Sequence, residues 1–258
     1  MSAHVLHPQA LAHDRWFSSL PAAFADSLLS AGVSRRFEAG ERICLRGQRH
    51  AGLYCVLGGV VHVLNQLQPD RDTFLGAFEG PVWLGELELF DGGSVTHEAQ
   101  AHTRCTALLF SRDRVLRLLD ANPQGWAHLG RLQAMKLRLA YFLLDEFSGR
   151  AIDTRLARRL LGMACGYGMR VGFSQLVPVG QEMLARSIGL ARASVSPVLR
   201  DWQRRGIVRL HYLSIELVDV RELMRIARHA EWSDHEREVF DLPGGGSLAD
   251  EAIPSGWN

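Results

Sequence analysis

A chain of 258 residues that is 47% hydrophobic and 22% charged, with a formal net charge of +1, has the makings of one or two domains with a sizeable core. No run of 18 or more apolar residues occurs, and the first residues, MSAHVLHPQALAHDRWF, lack the basic and apolar regions of a secretory signal; neither a membrane span nor export is indicated, and a cytoplasmic location is expected. Cys44, Cys55, Cys105 and Cys165 form no Cys-x-x-Cys pair, which disfavours structural zinc or an iron–sulfur cluster and suits buried thiols in a reducing compartment.

The charges are segregated along the chain. Residues 150–230 carry 14 arginines against 6 acidic residues, whereas residues 231–258 carry 1 against 7. An arginine-rich stretch between neutral and acidic neighbours is the electrostatic footprint of a phosphate-backbone binder.

After an N-terminal extension (1–20), residues 21–121 read as β-structure. Residues 51–64, 71–78 and 103–110 are short apolar or alternating runs rich in Val, Leu, Tyr and Phe. Turn signals separate them at Glu38-Ala-Gly, Leu45-Arg-Gly, Gly58-Gly, Gln68-Pro-Asp, Glu79-Gly-Pro and Asp91-Gly-Gly. This pattern predicts an antiparallel barrel or jelly roll with an interior pocket. Ser111 is placed to cap a helix over 112–120.

A long helix is expected from Gln124 to about Phe147, within a dimerisation and hinge region of 122–150. Leu132, Met135, Leu139 and Phe142 recur at the spacing of a coiled-coil seam, and they are taken as the face of a two-fold dimer. The alternative is a helix buried within one subunit.

The basic segment, 151–230, opens with another helix at 152–161. In QEMLARSIGLARASVSPVLR (181–200), Met183, Leu184 and Ile188 are apolar on a first helix, Gly189 makes a turn, and Val195, Val198 and Leu199 bury a second helix. That is the grammar of a helix-turn-helix, whose second helix presents its N-terminal residues to the major groove. Residues 207–210 and 214–217 flank a turn and form a wing, and Asp219-Val-Arg-Glu222 is a capping box. The remaining 231–258 is acidic and rich in Gly and Pro, and is expected to be disordered.

Taken together, EAGERI (38–43), Gly47, YCVLGGVV (54–61), GELELF (85–90), LARSIGLARASV (184–195) and RRGIV (204–208) resemble the cyclic-AMP receptor protein and fumarate–nitrate reduction regulator (Crp/Fnr) family of bacterial transcription factors over roughly residues 17–230. The resemblance implies an α+β protein with a cyclic-nucleotide-binding-like β jelly roll, a dimerisation helix and a winged helix-turn-helix. The implied partners are a second copy, a pseudo-palindromic double-stranded DNA operator and RNA polymerase, which Arg112, Arg114 and Arg117 could meet.

In cyclic-nucleotide-binding members of the family, the Gly-Glu-Leu turn is followed about ten residues later by an Arg that pairs with the cyclic phosphate. Here Thr96 and His97 stand at those positions, so a permanently charged fork has become a neutral hydroxyl. The positions implied to hold the base fall near Tyr141–Leu143, where Phe142 and Leu143 offer no polar partner. Gly85, Glu86, Thr96, His97 and Tyr141 are therefore candidates for a degenerate effector pocket that does not take cyclic AMP in the usual manner. His97 is alternatively a haem, metal or anion ligand, or a histidine satisfied by backbone; no cofactor is singled out. The HEAQAH stretch (97–102) has the wrong spacing for a metalloprotease.

On the DNA side, the resemblance places Arg192 as a base-reading arginine, with Ala193 where a glutamate is frequent. Ser194 and Ser196 are candidate DNA contacts, and Gln181 and Arg186 could reach phosphates. With Ser194 as N-cap, Pro197 would fall in the first helical turn and be tolerated; with Ala191 as N-cap it would lie inside the helix. The alternatives are a ligand- or haem/gas-sensing regulator using the same pocket, a small-molecule-binding module acting through protein contacts, and an enzyme, for which no nucleophile–base pair, phosphate loop or metal spacing is present.

Overall fold

Strand β1 (Val33–Phe37) opens a jelly roll in the computed structural model, which describes residues 10–49, 51–68, 71–145, 150–228, 231–233 and 237. The strands that follow are β2 (Arg42–Cys44), β3 (Gly52–Gly58), β4 (Val60–Gln68), β5 (Arg71–Glu79), β6 (Val82–Leu84), β7 (Glu98–Ala101) and β8 (Cys105–Ser111). They form two four-stranded antiparallel sheets in the orders β1-β8-β3-β6 and β2-β7-β4-β5. Val56, Val61, Ala99, Ala101 and Ala107 fill the space between the sheets. The single run expected at 51–64 is two strands, divided at Gly59. Its φ of +93° and the backbone oxygen of Arg104, 2.5 Å from where a Cβ would sit, admit only glycine, and there the chain passes from one sheet to the other.

Helices α1 (Arg15–Ser18), α2 (Ala22–Ser30), α3 (Leu87–Asp91) and α4 (Arg112–Ala121) surround the roll. The N-terminal extension proves integral to the fold. Leu11 and Trp16 are buried with Trp83 and Phe110, Asp14 accepts hydrogen bonds from the Phe17 amide (2.6 Å) and the Trp83 indole (3.1 Å), and His13 and Arg15 pair with Val171 and Met169. Ser111 stands at the N-cap of α4 but makes no side-chain cap bond.

The long helix α5 runs Gly125–Asp145; the expected end at Phe147 lies outside the described residues. The stripe taken as a dimer face is covered within the chain. Leu132 is buried against the roll with Leu119 and Leu129, and Met135 packs on the same cluster. Phe142 is buried in the C-terminal core, with Leu139 against it. Leu132 and Phe142 are thus covered within one chain and cannot face a partner. The face left exposed carries Ala127, Ala134, Leu137, Tyr141 and Leu144, with Gly130 between the first two, again at alternating spacings of three and four.

The C-terminal half contains α6 (Ile152–Ala164), a 3-10 turn at Gly166–Gly168, β9 (Leu176–Val177), α7 (Gln181–Ser187), α8 (Arg192–Arg204), β10 (Val208–Leu210), β11 (Ile215–Leu217) and α9 (Val220–Ile226). The wing is three-stranded, β10-β11-β9. Asp219 caps α9 by accepting from the Glu222 amide at 2.9 Å, as the capping box predicts, while the Glu222 carboxylate turns to Arg205 and Arg225. This half docks on the roll: α7 packs against β5, Tyr167 meets Phe78 at 5.5 Å, and Arg170 pairs with Glu79 at 3.3 Å. The expected disorder of 231–258 lies mostly outside the described residues, but it does not hold at Trp232. That side chain is buried edge-to-face with Phe142 at 5.6 Å, and the buried guanidinium of Arg158 lies over both rings, 4.6 Å from Trp232 and 4.5 Å from Phe142.

Candidate functional site

Two regions bring chemistry-bearing residues together. The first is a cavity of about 600 Å3 between the second sheet, the turn after β6 and helix α5. Gly85, at φ +90°, turns the chain so that Glu86 and Glu88 face the cavity, and Thr96 and His97 enter it from the start of β7. Four of the five predicted pocket residues therefore meet. Tyr141 does not belong to the lining; it stands 62% exposed on the outer face of α5, because the helix turns Ala140 and Leu143 towards the cavity instead.

Sequence reasoning missed the residue that organises this cavity. Lys136, the single lysine of the chain, extends from α5 and donates to Glu86 Oε1 and to the Trp83 carbonyl, both at 2.6 Å. Only its position one turn from Gln133 and Ala140 on the long helix could have drawn attention to it. Glu86 is 5% exposed, and its other oxygen, Oε2, has no hydrogen-bond partner; the same holds for Gln133 Nε2 on the opposite wall. Burial raises the pKa of the Glu88 carboxyl, with the charges of Glu86 and Asp91 adding to the effect against hydrogen bonds from the backbone.

His97 shares a hydrogen bond with Thr96 Oγ1 at 2.9 Å, and burial together with the charge of Arg46 lowers its pKa, so the imidazole is neutral near pH 7. His102 is remote from it and stacks on His62 with ring centroids 3.9 Å apart. Among the described residues, no group of three or more His, Cys, Asp or Glu side chains is placed to hold a metal ion.

The second region is the pair α7–α8. Gly189, at φ +68°, makes the turn between them, and the Ser194 amide bonds to the Ala191 carbonyl to start α8. The N-cap is therefore Ala191, which has no side-chain bond to give, and Ser194 lies inside the helix with Pro197 one turn further on. The missing Pro N–H would have bonded the carbonyl of Ala193. Ala193 lies on the exposed side, where water can take that carbonyl, so the helix continues to Arg204 without a break.

Val195, Leu199 and Trp202 bury one face of α8 against Leu184, Ala185 and Ile188. Arg192, Ala193 and Ser194 stand exposed at its N-terminal end. Among the described residues Arg192 has no acidic partner, whereas Arg186 is paired with Glu182 at 3.2 Å. Ser196 and Gln181 are bonded to each other at 2.8 Å, tying the second helix to the start of the first. At the tip of the wing Tyr212, 93% exposed, was not foreseen; nothing in its sequence neighbourhood separates it from other turn residues.

The chain matches the family model described as a cyclic nucleotide-binding domain over residues 34–122 and the one described as a Crp-like helix-turn-helix domain over residues 154–226. It is 28% identical over 194 residues to a CRP-like cAMP-activated global transcriptional regulator of Mycobacterium tuberculosis, covering 74% of this chain and 87% of that protein. It is 28% identical over 211 residues to the cyclic AMP receptor protein of Thermus thermophilus, covering 82% and 95%. A solved structure, a CRP-family transcriptional regulator from the same organism, superposes with a TM-score of 0.60 at 26% identity over 75% of this chain and 96% of that one. No helix among the described residues is long and apolar enough to cross a membrane. Jelly roll, long helix and winged helix-turn-helix, in that order and matched by both family models, make this chain a member of the Crp/Fnr family of DNA-binding transcription regulators.

Proposed function

We propose that the protein acts as a homodimer that reads a specific pseudo-palindromic operator through α8, and that its pocket does not take cyclic AMP in the usual manner. The observation that carries the DNA reading is the N-terminal end of α8. There an unpaired, exposed arginine stands beside Ala193 and Ser194 on a helix whose opposite face is locked into the core. Arginine in that place can give bidentate hydrogen bonds to guanine O6 and N7. The mutual bond of Ser196 and Gln181 gives them a positioning role, setting the angle between the helices, and leaves Ser194 and Arg186 as the contacts to DNA. The exposed stripe from Ala127 to Leu144 supports the dimer. Its spacing is that of a helix packing on a copy of itself, small residues (Ala127, Gly130, Ala134) allow close approach at one end, and Leu137 and Leu144 are 54% and 63% exposed in the single chain.

The pocket reading is supported by Lys136, the one cation among the described residues of the lining, being engaged by Glu86. A cyclic phosphate would meet two carboxylates, a hydroxyl and a neutral imidazole. The family resemblance also makes RNA polymerase a partner of the bound dimer.

The test is binding to the protein's own promoter region against scrambled DNA of equal length, across a salt series. Nanomolar, salt-steep binding that prefers the promoter by about a thousandfold or more is expected. Weak binding indifferent to sequence would refute it.

A further inference from the structure

The pocket has a definite chemistry that absence of a phosphate partner does not by itself supply. Its walls are built mostly from hydrocarbon: Val63, Phe78, Val82, Leu139 and Leu143 among others. Its volume, about 600 Å3, is that of a site for a small organic molecule. Against that apolar background stand two carboxylates, Glu86 and Glu88, and one ammonium, Lys136. With His97 neutral, the lining carries a net charge of −1. An anion entering it would lose its water shell and gain no unpaired cation in return.

Two polar atoms of residues that line this space are buried without a hydrogen-bond partner: Glu86 Oε2, an acceptor, and Gln133 Nε2, a donor. An unpaired buried polar group costs free energy, so a ligand that satisfies Glu86 recovers that cost on binding. A carboxylate can be satisfied only by a donor.

Resting on the reading of this pocket as the effector site, we propose that it binds an uncharged or cationic molecule with a hydrocarbon body and a hydrogen-bond donor, a hydroxyl or an amine, directed at Glu86 Oε2, and that it rejects carboxylates and phosphates. The hydrocarbon lies along Val63, Phe78 and Val82 on the sheet side and Leu139 and Leu143 on the helix side. Lys136 serves as a positioning residue, holding Glu86 by one oxygen and leaving the other for the donor of the ligand.

The experiment uses the full chain without DNA. N-phenyl-1-naphthylamine, a neutral apolar fluorophore with one N–H donor, is titrated in, and then displaced by decan-1-ol, decylamine, decanoate or cyclic AMP. Expected are saturable probe binding at one site per chain, displacement by the alcohol and the amine, decanoate weaker by at least about tenfold, and no displacement by cyclic AMP. Glu86→Gln frees Lys136 and removes a negative charge, so decanoate should close to within about threefold of the alcohol. Ala140→Trp, at an exposed α5 position that lines the cavity, should abolish probe binding while leaving the far-ultraviolet circular dichroism unchanged.

Decanoate or cyclic AMP displacing the probe as well as decan-1-ol would overturn the proposal, as would probe binding that never saturates or that survives Ala140→Trp. The two readings fail separately. A protein that binds decan-1-ol but no operator keeps this proposal and loses the DNA reading, and the reverse result does the opposite.

Discussion

His62 is 6% exposed, stacked on His102 and edge-on to Phe74, and burial, with the charge of His102 acting in the same direction, pushes its pKa down to about 4 from 6.5. The folded chain therefore binds fewer protons here than the unfolded chain between about pH 4 and 6.5. The stability this residue supplies is complete above pH 6.5 and is lost as the pH falls towards 4, on the order of 3 kcal/mol. Asp14 has the opposite sign: burial raises its pKa to about 6 from 3.8, so its contribution is complete below pH 3.8 and is lost as the pH rises through 6. The two oppose each other over the same window, and only a variant separates them. His62→Phe, which preserves the ring stacking, should lose less stability than the wild type between pH 7 and pH 4.5 in urea unfolding; an identical loss in both proteins would show that His62 is not held neutral in the folded state. At this scale the sequence was partly legible. Glu86, Thr96 and His97 were found because the family resemblance places them by count from the Gly-Glu-Leu turn. Lys136 and Gln133 reach the same cavity from a helix some 40 residues further on, a juxtaposition that no local spacing encodes.

Helix α5 has two apolar stripes, and choosing between them required knowing what else the chain packs against it. Leu132, Met135, Leu139 and Phe142 keep a coiled-coil rhythm yet serve the chain's own cores, while the equally regular stripe through Ala134, Leu137 and Tyr141 is left uncovered. The large side chains of the first stripe outweigh the Ala and Gly of the second in any reading by hydrophobicity. Alanine and glycine are what a close helix crossing needs. Ala134→Glu combined with Tyr141→Glu should convert the dimer to a folded monomer in sedimentation velocity, whereas Leu132→Ala should leave the dimer intact and lower stability by about 2–5 kcal/mol. A dimer that survives the first pair of changes would remove the exposed stripe as its interface. Elements set by strong local signals, such as the Gly189 turn and the Asp219 cap, were legible to within a residue or two. Of the short strands, β10 and β11 were foreseen because they flank a turn, whereas β1, β2, β6, β7 and β9 were not, since so few positions show no alternation; their pairing partners determine them.

Across the whole molecule, the order of domains and the segregation of arginine into 150–230 were plain in the sequence, because periodicity and charge vary over tens of residues. The boundaries were less so. Both terminal segments read as appendages, yet Trp16 and Trp232 are buried, one fixing the N-terminus to the jelly roll and the other closing over Arg158 and the end of α5. Trp232→Ala should cost about 3–5 kcal/mol, read as a lowered urea midpoint, because it opens a cavity and strips one face from a buried guanidinium; a change within about ±0.5 kcal/mol would show that the segment contributes nothing to stability. Whether α8 reads DNA in a dimer is tested most directly by titrating one selected palindromic operator with wild type and Arg192→Ala at fixed salt. The variant should remain a folded dimer, keep its non-specific binding and lose about 1–3 kcal/mol of specific affinity per arginine contact. An unchanged specific affinity would contradict the reading of DNA by α8.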